Sequence, residues 1–312
     1  YMAHNNQTWM NEFILLGLSN DWKIQIYLFV LFLAMYLVTM LGNFLIIHLI
    51  RIDIRLHTPM YFFLSILSFV DICYMNSTVP QMLIHFLSSR KSIPFHSCVV
   101  QLYITLALGG TEFFLLGAMA YDRYVAVCYP LHYTVIMHGG LCIALAAACW
   151  TAGFLNSLME TIITFRLPLC KDVINHFACE TLAVLRLACV DISFNKVMVA
   201  FSGFVVLMLP CSLVLFSYAQ IVKAILRIRS AQGRRKAFGT CASHLTVVSL
   251  CFGASIFTYM KPQSNSSAEN EKMLALFYTT VAPMLNPMIY SLRNKEVMGA
   301  LRRALGRFSE ET

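Results

Sequence analysis

The sequence predicts an all-α fold, a seven-transmembrane helix bundle with a short amphipathic C-terminal helix, and three observations predict it. Of 312 residues, 59% are hydrophobic and only 12% are charged. A soluble domain carries about twice that share of charge, so too few solvated groups are present to cover a water-facing surface. Seven stretches, 24–50, 58–86, 95–128, 139–162, 195–225, 236–260 and 271–292, read as membrane spans, since a bilayer core takes about 20 apolar residues in helical form. After them, Val297, Leu301, Leu305 and Phe308 recur at helical spacing between Asn294 and Phe308, with Arg302, Arg303 and Arg307 on other faces. That pattern suits a helix lying on a membrane surface.

The elements follow in order. The tail 1–23 has a short apolar run, Phe13 to Leu18, with no basic region before it, so the first span is expected to direct insertion. The second and third spans each carry one acidic residue, Asp71 and Glu112. Ionisable groups at membrane depth are costly and usually functional. The fourth span has no charge from Leu141 to Leu158. The seventh contains Pro283 and Pro287, tolerated in a membrane because neighbouring groups satisfy the freed carbonyls. With the N-terminus outside, fourteen of the 23 Lys and Arg residues fall on the cytoplasmic side, most densely between spans five and six and after span seven. The basic side stays inside. The chain therefore reads as one multi-pass domain, 1–312, in the plasma membrane. It comprises an extracellular tail 1–23, a bundle 24–292 and a cytoplasmic amphipathic helix and tail 293–312.

Eleven cysteines leave at least one free. Seven lie in or beside apolar segments as small buried hydrophobes. Cys98, Cys170, Cys179 and Cys189 lie in polar connections and are candidates for disulfides, with three pairings open. Asn6-Gln7-Thr8 is a glycosylation sequon in the tail. Asn76-Ser77-Thr78 matches the same pattern inside span two, out of reach, and Asn265-Ser266-Ser267 sits close to the membrane. His176-Phe177-Ala178-Cys179-Glu180 has the donors for copper, provided that the Cys179 thiolate is free. No zinc-protease, nucleophile-elbow or phosphate-loop motif is present, so no enzyme is expected, and no nucleic-acid partner. A transporter would suit Asp71 and Glu112, but seven spans do not divide into inverted repeats.

At the end of span three, Met119-Ala120-Tyr121-Asp122-Arg123-Tyr124-Val125-Ala126-Val127-Cys128-Tyr129-Pro130 places a carboxylate beside an arginine at a helix end. Asp122 can hold Arg123, and its release would offer a cation to a partner. The string resembles the extended motif of the odorant receptors, G-protein-coupled receptors of the rhodopsin-like class. Leu56-His57-Thr58-Pro59-Met60-Tyr61-Phe62-Phe63-Leu64 resembles their span-two opening. Lys236-Ala237-Phe238-Gly239-Thr240-Cys241-Ala242-Ser243-His244-Leu245 is similar to their span-six opening, with Gly239 where serine is usual. Pro283-Met284-Leu285-Asn286-Pro287-Met288-Ile289-Tyr290 resembles their span-seven ending. The short termini resemble the tetrapod-type class. Span six departs from the pattern: Cys251-Phe252-Gly253 replaces a Phe-Tyr-Gly run, and without proline between Lys236 and Met260 only Gly253 is left as a hinge.

The resemblance implies function. A small volatile odorant would bind in the extracellular half of the bundle, and a stimulatory olfactory G protein would couple inside to raise cAMP, with the receptor in olfactory cilia. The expected ligand lining is Thr105, Leu106, Gly109 and Gly110 on span three, Ser202, Gly203 and Val206 on span five, Phe252, Ser255, Ile256 and Tyr259 on span six, and Thr279 on span seven. Tyr259 is the expected polar anchor. Coupling falls to Asp122, Arg123, Tyr124, Tyr218, Arg234, Arg235, Lys236 and Tyr290. The disulfides implied are Cys98–Cys179 and Cys170–Cys189. The resemblance also gathers Asp71, Glu112, Asn43 and Asn286 in one polar core. Two close carboxylates cannot both stay charged without a cation, so they share a proton, bind a sodium ion, or form a plain hydrogen-bonded pair. No other cofactor is expected.

Overall fold

The computed structural model describes residues 11–260, 272–273 and 275–310. Its long helices are α1 (Trp22–Ile52), α2 (Pro59–Leu87), α3 (Phe95–Cys128), α4 (Gly139–Phe165), α5 (Ser193–Leu226), α6 (Ala231–Met260), α7 (Ala282–Arg293) and α8 (Lys295–Glu310). α1 to α5 are each long and apolar enough to cross a membrane, and α6 is so when its bent pair, Ala231–Gly239 and Cys241–Ser255 at 48°, is taken as one span. The bend lies around Thr240, well before Gly253. The seventh segment enters α7 through a five-residue π-helical turn, Phe277–Val281. That turn ends two residues before Pro283, whose ring nitrogen donates no hydrogen bond.

Local chemistry sets the helix ends. Asp21 accepts a hydrogen bond from the Lys23 amide at 2.8 Å and starts α1. Pro59 opens α2, where its missing N–H is no loss. Asn294 Oδ1 accepts from the amides of Glu296 and Val297 at 3.0 and 3.4 Å, starting α8 directly after α7. Along α8, Val297 and Ala300 are buried while Arg302 is exposed, as its apolar stripe requires.

Packing sorts the apolar surface in two. α3 is the central helix, touching α2, α4, α5 and α6. Its face against α4 is close: a Cβ on Gly153 would lie 2.7 Å from the Ala107 carbonyl oxygen and 2.8 Å from the Thr111 nitrogen. Small residues allow such backbone approach between membrane helices. Val30, Phe44, Ile143, Phe204, Leu209 and Leu215 are exposed on the outside. An apolar surface of that extent faces lipid rather than water.

Part of the tail 1–23 takes a regular structure that the sequence reading did not assign. Glu12–Leu15 forms β1, central in a three-stranded sheet with β2 (Ser92–Pro94) and β3 (Val173–Ile174) in the order β2-β1-β3. Period-2 alternation explains it: Phe13 and Leu15 are buried while Glu12 and Ile14 are exposed. Cys98 is corrected too, since it lies in the first turn of α3 and is fully buried rather than in a polar connection. The sheet marks one end of the bundle, the sheet end. The α5–α6 connection and α8 mark the other, the basic end.

Candidate functional site: two cavities and a polar core

At the sheet end, a cavity of about 460 Å³ opens among α2, α3, α4, α5, α6 and α7. Thr105, Leu106, Gly109 and Gly110 line it from α3, Gly203 and Val206 from α5, Ser255 from α6, and Thr279 from the π-helical turn. Two expected lining residues stand elsewhere. Ser202 is turned into the α4–α5 contact, where its hydroxyl bonds to Asn156 and Glu160. Phe252 packs edge-on to Phe113, ring centres 5.3 Å apart, so Phe113 takes the wall position. The side chains of Ile256 and Tyr259 lie outside the described residues.

The segment His176–Leu182 closes the cavity. It is fixed by both implied disulfides, Cys98–Cys179 and Cys170–Cys189, each with Cα atoms 5.5 Å apart. Gln101, which the sequence did not single out, adds a polar pin. Its Oε1 accepts from the Cys179 amide at 2.9 Å, and its Nε2 donates to the Ser77 carbonyl and to Gln81. The condition set for copper is not met: Cys179 is in a disulfide and has no free thiolate, and His176 bonds to Ala178. Among the described residues no cluster of three or more His, Cys, Asp or Glu side chains suits a metal ion.

The polar core sits in mid-bundle. Asn286 Nδ2 donates to both oxygens of Asp71, at 3.3 and 3.1 Å, and to Glu112 Oε1 at 3.1 Å, so one amide joins two carboxylates. No ion pair among the described residues reaches them. Asn43 donates to the carbonyls of Thr39 and Pro283, while its buried Oδ1 has no hydrogen-bond partner among the described residues. Carboxylate and amide oxygens are the ligand set of a hard cation, so the residues present fit sodium.

At the basic end, a wider crevice of about 1160 Å³ is lined by Arg123, Tyr133, Tyr218, Ile221, Arg235 and Asn294, among others. Arg123 Nη2 donates to Asp122 at 2.8 Å, and Tyr133 donates to the other Asp122 oxygen at 2.7 Å. Asp122 is fully buried, so this pair is shielded from water. Burial, then the Asp122 carboxylate, pushes the Tyr133 phenol above its usual value and keeps it a donor.

Tyr218 lies 2.8 Å from His244 Nδ1, and His244 Nε2 lies 3.1 Å from the Leu116 carbonyl. A carbonyl only accepts, so Nε2 carries the proton and Nδ1 accepts from Tyr218. His244 was quoted in the sequence but given no role, and its partners lie too far along the chain to be read from a string. Tyr290 is buried with its hydroxyl unpaired among the described residues. Tyr124 packs near Tyr129 and Phe216. Arg234 reaches the Ile228 carbonyl at 3.5 Å. The Lys236 side chain and Asn6 lie outside the described residues.

Comparison with known proteins agrees with this arrangement. Residues 32–307 match the family described as olfactory receptor. The chain is 60% identical to the olfactory receptor-like protein OLF3 of Canis lupus familiaris, over 99% of this chain and 98% of that protein. It is 60% identical to human olfactory receptor 2F1 and 59% identical to human olfactory receptor 2F2, with the same coverage.

Proposed function

From the premise that this chain belongs to the olfactory receptor family, rhodopsin-like G-protein-coupled receptors, we propose how its two cavities divide the work. The protein is a multi-pass membrane receptor for odorants and not an enzyme. In our reading the sheet-end cavity binds a small volatile organic molecule. The basic-end crevice then activates a stimulatory olfactory G protein and raises cAMP. This orientation puts the N-terminus and the sheet outside the cell and α8 on the inner leaflet, in the membrane of olfactory cilia.

The observation that carries the reading is the placement of Arg123. It stands on the wall of the basic-end crevice, held by a neighbour in the same helix that also lines the sheet-end cavity. A ligand that shifts α3 or its contacts therefore acts on the group that a partner would meet. The test is cAMP in transfected cells against a chemically broad odorant panel, with ion flux in liposomes as the contrast. Arg123→Ala is expected to abolish the ligand-driven cAMP rise while surface expression stays similar. Full signalling by that variant removes Arg123 from the mechanism, and ligand-gated ion flux without cAMP replaces a receptor by a channel.

For the polar core, Asp71 and Glu112 with Asn43 and Asn286 are the residues that would hold sodium; without it the two carboxylates share a proton. Melting temperature that rises with sodium but not choline in the parent, and with neither in Glu112→Gln, selects the ion. Equal responses in both proteins select the proton.

A further inference from the structure

We infer that the ligand of the sheet-end cavity is a small amine and that the Glu160 carboxylate is its counter-charge, an inference that rests on reading this cavity as the ligand site. Glu160 is the only charged residue of α4. It lies five residues before the helix ends, and it is 5% exposed. A carboxylate inside a span is expensive to keep, and such groups are retained where function uses them.

Its hydrogen bonds are lopsided. Asn156 Nδ2 donates to Oε1 at 3.0 Å, and the Ser202 hydroxyl donates to the same oxygen. Oε2 accepts no hydrogen bond among the described residues, and no ion pair among them reaches the group. A carboxylate offers roughly four lone-pair sites, so half of this one is left over. Glu160 and Asn156 both stand on the cavity wall.

The wall is acidic in a chain of net charge +8. Glu112, Glu160 and Glu180 line the cavity against one ammonium, Lys196. Glu112 is engaged by Asn286, and Glu180 accepts from the Ala183 amide at 2.9 Å. Glu112 shares its amide donor with Asp71 and so belongs to the polar core, which leaves Glu160, with its second oxygen unbonded among the described residues, as the carboxylate for a ligand. An alkylammonium supplies both a compensating charge and a charge-assisted hydrogen bond, which a neutral donor supplies only in part. A carboxylic acid of the same shape meets like-charge repulsion. Leu106, Gly109, Phe113, Val206 and Leu207 give the rest of the wall an apolar character that suits a hydrocarbon body.

The experiment is the melting temperature of the purified full-length receptor, titrated with small amines matched atom for atom to alcohols and hydrocarbons. Heptylamine, heptan-1-ol and octane form one set, and cyclohexylmethylamine, cyclohexylmethanol and ethylcyclohexane another. Amines are expected to stabilise the parent at lower concentration than their alcohols. In Glu160→Gln, which keeps an oxygen for Ser202 and Asn156, the half-saturating amine concentration is expected to rise about ten- to a hundredfold. The alcohols should move little. A parent that favours the alcohols, or that no amine stabilises, overturns the inference without any variant. So does a Glu160→Gln shift that is equal for amines and alcohols. Cellular cAMP measured in parallel judges the receptor reading separately. Amines that stabilise the protein without raising cAMP keep this inference and count against coupling. Neutral odorants that raise cAMP while amines fail keep the receptor and discard the amine.

Discussion

The two ends of the bundle are held by different kinds of bond. At the sheet end the segment over the cavity is tied by two disulfides, by a parallel strand pairing to β1 and by the Gln101 amide. At the basic end the corresponding surface is held by ion pairs and single hydrogen bonds: Asp122 with Arg123 and Tyr133, Tyr218 with His244, and Asp53 with Arg303. Covalent ties do not exchange with a partner, whereas an arginine on an aspartate can be re-bonded by any competing acceptor. The difference suits a molecule that keeps the shape of one cavity while changing the shape of the other.

The largest expected effect tests the covalent side. Cys98 and Cys179 close a loop of sequence separation 81, and Cys170 and Cys189 one of 19. Loop-closure entropy assigns them about 4.5 and about 3.3 kcal/mol, both upper values where inserted helices already restrain the chain. The Cys98→Ser, Cys179→Ser pair should therefore lower the melting temperature and surface expression more than Cys170→Ser, Cys189→Ser. The reverse order would mean that the sheet, and not the Cys98 bridge, fixes the closing segment.

The next effect tests the exchangeable side. Asp122→Asn leaves a hydrogen bond to Arg123 but removes its charge. Charge-assisted bonds contribute about 1.5–3 kcal/mol against about 1 for neutral ones. Ligand-free cAMP should rise several-fold or more, with ligand affinity at the far cavity changed much less. If basal signalling is unchanged, Asp122 is a folding residue and the contrast between the ends loses its switch.

Which parts of this were legible in the sequence follows from how local each is. The spans were legible because a bilayer demands long apolar runs whatever the rest of the fold does. Asp122 and Arg123 were legible because the two partners are adjacent. β1 was not, since four residues of alternating burial mean nothing until Ser92–Pro94 and Val173–Ile174 come to either side. Glu160 does not stand out in the sequence, since it follows a long uncharged run near the end of a span and its role depends on Ser202 of another helix. Ser202 was assigned to the cavity by its helical position. The hydroxyl turned instead to Asn156 and Glu160, an acceptor pair 46 and 42 residues away in the chain. Gln101, Tyr218 and His244 share that character, as their partners lie on other elements far along the chain and no string of neighbours announces them.

The smallest expected effect belongs to the weakest tie. Arg303 of α8 donates two hydrogen bonds to Asp53 Oδ2, at 2.9 and 2.6 Å, fastening α8 beneath the connection from α1 to α2. The arginine is 34% exposed, so solvent screens the pair, and surface ion pairs contribute about 0–1 kcal/mol. The hydrogen bond from Arg303 holds the Asp53 carboxyl below its ordinary value of 3.8. With the folded value depressed, the unfolded chain binds the extra proton first, so stability rises with pH between the two values. The contribution is complete above the ordinary carboxylate range and disappears as pH falls through the lowered folded value. Thermal melts of parent and Asp53→Asn should differ slightly at neutral pH and converge on acidification, while the melts of a Cys98→Ser, Cys179→Ser variant should stay apart from the parent across the same range. Should the Asp53→Asn gap persist at low pH, the packing of Val297 and Ala300, and not the ion pair, fastens α8, and the basic end owes less to electrostatics than the sheet end owes to sulfur.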